Sequence, residues 1–74
     1  MSVYGVVLFA TTSAALRAEK AALDAGLKVK LIPTPRQFSS NCGMSLRFDQ
    51  EQEAALREAL QHAGADWAHI RLLA

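Results

Sequence analysis

Cys42 is the residue whose chemistry stands out, and it is the only cysteine in the chain. It lies in Pro33-Thr34-Pro35-Arg36-Gln37-Phe38-Ser39-Ser40-Asn41-Cys42-Gly43, which also holds both prolines. A thiol reacts as its thiolate, so groups that stabilise negative charge on sulfur raise its reactivity. Arg36 in the same stretch is one such group. Ser39, Ser40 and Asn41 add hydrogen-bond donors for an anion. Gly43 removes a side chain beside the sulfur and permits a close backbone approach. The competing reading is that Cys42 is a small apolar residue packed at the start of a strand, since free cysteine is among the most buried residue types.

Two further residues bear on this site. Arg36 follows Pro35, so its planar fork is carried on a stiff backbone suited to an anion. Glu19 falls within the apolar arc of a helix, together with Leu16, Leu23, Ala15, Ala18, Ala22 and Ala25. A carboxylate there needs a partner or a route to water, and Arg36 and Arg47 are the candidate partners. His62 reads as a cation at a helix C-terminus. No glycine-rich phosphate loop, metal-ligand cluster or Ser/His/Asp arrangement occurs at a supporting spacing. Neither a cofactor nor a metal is expected. No general base is paired with the thiol, which favours a non-enzymatic role over an independent enzyme.

The elements around the stretch must position these groups. Residues 3–10 are apolar on both alternating sets, the pattern of a central strand. Thr11, Thr12 and Ser13 supply capping hydroxyls for a helix over residues 13–25, which Gly26 closes. Residues 28–32 alternate and read as a strand ended by Pro33 and Pro35. Residues 44–48 alternate cleanly, with Met44, Leu46 and Phe48 on one side and Ser45 and Arg47 on the other. Asp49 and Gln52 form a capping-box pattern for a second helix, whose apolar stripe is Leu56, Ala59, Leu60 and Ala63. Gly64 ends it, and residues 68–72 are the last strand.

The order is βαββαβ. For 74 residues it predicts one α+β domain of ferredoxin-like type, with two helices on one face of a four-stranded antiparallel sheet. The first two strands then run the same way with the third between them. That topology gathers Thr11, Thr12, Ser13, Arg36, Cys42 and Trp67 at one end of the sheet. It also collects Lys28, Lys30, Arg47, His69, Arg71 and Trp67 on an open face, read as solvated or as a dimer contact.

Composition narrows the function classes. A formal net charge of +1 is too small for strong nonspecific nucleic-acid binding, and paired strand-borne aromatics for base stacking are missing. No apolar run reaches the roughly 20 residues that cross a bilayer, and no signal peptide is recognisable, so a cytoplasmic chain without membrane or nucleic-acid partners is expected. With 51% apolar residues and no possible internal disulfide, stability rests on packing, with self-association as a homodimer a candidate support.

Three segments carry a family resemblance: Thr-Thr-Ser-Ala-Ala-Leu-Arg-Ala-Glu-Lys, Pro-Thr-Pro-Arg, and Ser-Ser-Asn-Cys-Gly-Met-Ser-Leu-Arg-Phe. Together they make the chain similar, over nearly its whole length, to a family of small bacterial domains described as selenium/sulfur-carrier-like. The resemblance implies that Cys42 carries sulfur or selenium as a persulfide-type adduct, with Arg36, Gly43 and Glu19 as signature neighbours. It implies a cysteine desulfurase or a selenium/sulfur acceptor protein as partner. Two other readings stand beside it: a protein- or anion-binding module in which Cys42 packs, and a thiol redox sensor.

Overall fold

The computed structural model describes residues 3–38 and 43–73. The elements are β1 (Tyr4–Leu8), α1 (Thr12–Asp24), β2 (Val29–Pro33), β3 (Met44–Asp49), a 3-10 turn (Gln50–Gln52), α2 (Glu53–His62) and β4 (His69–Leu73). The sheet order is β2-β3-β1-β4 with every neighbouring pair antiparallel. β1 and β2 therefore run the same way with β3 between them, the expected ferredoxin-like α+β arrangement.

The register assigns the two faces of the sheet. Val7 pairs with Leu46 and Ile70, and Leu46 with Leu31. With Phe9 and Phe48 this set points at the helices, meeting Ala15, Ala18 and Ala22 of α1 and Leu56 and Leu60 of α2. Gly5 lies opposite Phe48, and a Cβ on it would stand 2.5 Å from Phe48 Cζ. Glycine at that position makes room for the ring. Both helices close on a glycine in the left-handed region, Gly26 at φ 80° and Gly64 at φ 68°. After each, the chain bonds back into the last turn, with Leu27 N donating to Ala22 O and Ala65 N to Leu60 O.

Several expectations are corrected. Leu16 and Leu23 do not face the core; each is 53% exposed, and the alanines take the buried side of α1. The sheet already fills the interlayer space with Phe9, Leu46 and Phe48, so the helix above presents small residues. Ala63 is likewise exposed, leaving Leu56 and Leu60 as the buried residues of α2. Gln52 does not complete a capping box, because its Oε1 accepts from Lys28 N at 3.2 Å. Asp49 instead accepts from Glu51 N at 3.1 Å and caps the 3-10 turn, which delays α2 to Glu53. Trp67 packs against the core rather than joining His69 and Arg71 on the open face.

Pro33 ends β2 as expected, as the last residue inside the strand. Thr34 N donates to Gly43 O at 2.9 Å and continues the β2–β3 register. The backbone polar groups of Thr34 thus point at β3 and those of Pro33 at the free outer edge. A missing N–H there breaks no ladder bond.

Candidate functional site

The connection between β2 and β3 is held at its base. Besides the backbone bond from Thr34 to Gly43, the Thr34 and Ser45 hydroxyls lie 2.9 Å apart. Ser45 is fully buried, so this contact gives its hydroxyl a partner away from water. Phe38 N donates to Pro35 O at 3.0 Å, folding Pro35 to Phe38 into a turn that holds Arg36 exposed at its second position. Arg36 makes no ion pair among the described residues. Gly43 is exposed, and nothing described lies within 4 Å of where its Cβ would stand. Cys42, Ser39, Ser40 and Asn41 lie outside the described residues.

The same end of the sheet carries the start of α1. Thr11 is its N-cap: Oγ1 accepts from Ala14 N at 3.1 Å and the carbonyl accepts from Ala15 N at 3.2 Å. A threonine at this position satisfies one of the free N–H groups of the first turn. Thr12 and Ser13 are exposed beside it. Thr11, Ser13, Arg17 and Asp66 line a cleft of about 220 Å³. The turn holding Asp66 is brought there by β4, whose pairing extends to a bond from Ala68 N to Leu8 O at 2.8 Å. Leu8 also pairs with Ser45, beside the base of the loop. The end of β1, the cap of α1, the 64–67 turn and the stem of the loop thus share one end of the sheet, as the topology predicts.

Glu19 sits apart from this end, half-buried in the middle of α1. Among the described residues it pairs with neither candidate arginine. Arg47 lies on the opposite face of the sheet, its guanidinium carbon 4.7 Å from the centroid of the Tyr4 ring. The Thr34–Ser45 and Tyr4–Arg47 contacts escaped sequence reasoning. Both join residues of one sheet face, and their signal was the alternation that already set Ser45 and Arg47 apart from Met44, Leu46 and Phe48.

No group of three or more His, Cys, Asp or Glu among the described residues is placed to hold a metal. No described helix is long and apolar enough to cross a membrane. No curated protein and no solved structure matches the chain. The family model described as "Putative Se/S carrier protein-like" matches residues 4–71, from the first residue of β1 into β4. With almost its entire length matched, the chain belongs to that Se/S carrier protein-like family.

Proposed function

We propose that this protein is a non-enzymatic carrier that takes up sulfur or selenium on the Cys42 thiol and hands it to an acceptor. The family match over residues 4–71 is the observation that carries this reading. The sequence places Cys42 beside Gly43, and the described stem made by Thr34, Gly43 and Ser45 lies at the end of the sheet where α1 begins, which supports the reading.

Loading is a displacement at sulfur. The Cys42 thiolate attacks the outer sulfur of a persulfide on a donor, such as a cysteine desulfurase. A sulfur–sulfur bond forms at Cys42, the donor's sulfur–sulfur bond breaks, and the donor cysteine leaves as its thiolate. The outer sulfur moves between two equivalent sulfurs, so no separate oxidant or reductant enters. Delivery repeats the displacement with an acceptor nucleophile attacking the outer sulfur on Cys42.

The adduct is an anion. Arg36 offers a planar donor fork, the Ser39 and Ser40 hydroxyls and the Asn41 amide offer neutral donors, and Gly43 leaves the approach open. The N-terminus of α1 behind Thr11 and Thr12 contributes the positive end of the helix dipole. A general base is unnecessary when the nucleophile is already a thiolate.

Incubation with a cysteine desulfurase and sulfur-labelled cysteine tests the proposal. The label co-migrates with the wild-type chain, is absent from Cys42→Ser and is released by dithiothreitol. Label retained in Cys42→Ser, or none in either chain, contradicts the carrier role.

A further inference from the structure

We infer that the sheet face turned away from the helices is a docking surface for an acidic polypeptide segment of a partner protein. Charge is segregated between the two layers. The strands and Lys28 hold four cations (Lys28, Lys30, Arg47, Arg71) against one carboxylate, Asp49. The helices and the 3-10 turn hold five carboxylates (Glu19, Asp24, Glu51, Glu53, Glu58) against three cations (Arg17, Lys20, Arg57). A net charge of +1 thus conceals a basic front and an acidic back.

The register concentrates the front charge in one row. Lys30 pairs with Arg47, Arg47 with Val6, and Val6 with Arg71, so the row crosses all four strands. His69 stands in the next row. Lys30 and Arg47 are directly opposite one another, where like charges destabilise a sheet. No carboxylate answers it: none of these three cations makes an ion pair among the described residues, and Arg47 rests on the Tyr4 ring instead. Asp49, the one carboxylate on this face among the described residues, accepts the Glu51 N–H instead. Neither described helix covers this side, and Val6 and Leu8 are nonetheless buried. Carboxylates presented by a partner supply the missing opposite charge.

Other occupants fit less well. A second copy meeting this face with its own sets two cationic rows against each other. Single-stranded nucleic acid is held by free aromatic rings that stack its bases as well as by cations. The aromatic on this face is Tyr4, already covered by Arg47, and Trp67 is turned into the core. The inference goes beyond the carrier reading and does not depend on the thiol, so Cys42→Ser leaves it unchanged.

A fluorescein-labelled oligo-glutamate peptide, with amide NMR of the full chain, tests it. The peptide binds, amide shifts concentrate at Lys30, Arg47, His69 and Arg71, and affinity falls on raising the salt concentration. The double variant Lys30→Glu, Arg71→Glu, altered at two exposed positions and checked for folding by circular dichroism, binds on the order of tenfold more weakly or less. Absence of binding, shifts confined to the helices, or unchanged affinity in the double variant overturns the inference. So does tighter binding of an oligouridylate of equal charge, or a molecular mass that rises with concentration and competes with the peptide.

Discussion

A single missing methyl group at Gly5 gives Phe48 its place. The 2.5 Å approach to Phe48 Cζ is too short for any carbon, and the obstacle is an aromatic ring buried under both helices. Gly5→Ala must move that ring within a close-packed layer, at a cost of about 1–3 kcal/mol. Chemical denaturation reads this as a lower midpoint with an unchanged slope; wild-type stability would show that the ring has room to shift. Thr34 is the second test at this scale. Thr34→Val keeps the shape but takes from the buried Ser45 hydroxyl its partner at 2.9 Å. Leaving a buried hydroxyl unsatisfied costs about 1–3 kcal/mol. A variant as stable as wild type would remove this hydroxyl pair from the account.

At the scale of elements, α1 shows what patterning reveals and what it conceals. Its existence, its Thr11 cap and its closure at Gly26 follow from residue type, because capping hydroxyls and a left-handed glycine answer local needs of the backbone. Which side faces the core does not follow, because alanines and leucines together form an apolar arc wider than the buried one. Bulk from the sheet decided for the alanines, a fact of packing that no single helix carries. Leu16→Ala and Leu23→Ala are therefore expected to change stability by about 0.5 kcal/mol or less, as for other surface positions. A loss of several kcal/mol for either in a solution containing only monomer would contradict the assignment. Thr11→Ala, by contrast, removes a cap worth about 1 kcal/mol and frays the helix terminus beside the loop. Gln52 teaches the same lesson: the capping-box spacing is present, but the free N–H of Lys28 claimed its side chain from another element.

For the whole molecule, the βαββαβ order, the antiparallel sheet and the grouping of the Thr11 cap, the 64–67 turn and the 34–43 loop stem were all legible. Alternation in residues 44–48 and the full apolar character of residues 3–10 fix which strands are central, and connection order does the rest. The layer-wise separation of charge was less legible, because a net value of +1 averages it away. Glu19 was the least legible of the candidate site residues: its position on the wheel was evident, but its distance from Arg47, across the thickness of the sheet, was not.

The proposed carrier role requires Cys42 to take up a chalcogen atom from a donor. Intact-mass spectrometry after incubation with a cysteine desulfurase, supplied with cysteine in one reaction and selenocysteine in another, tests it most directly. A carrier becomes heavier by one sulfur or one selenium atom, according to the substrate, with the addition mapped to the peptide containing Cys42 and lost in Cys42→Ser. An unchanged mass in both reactions, or an addition that persists in Cys42→Ser, would contradict it.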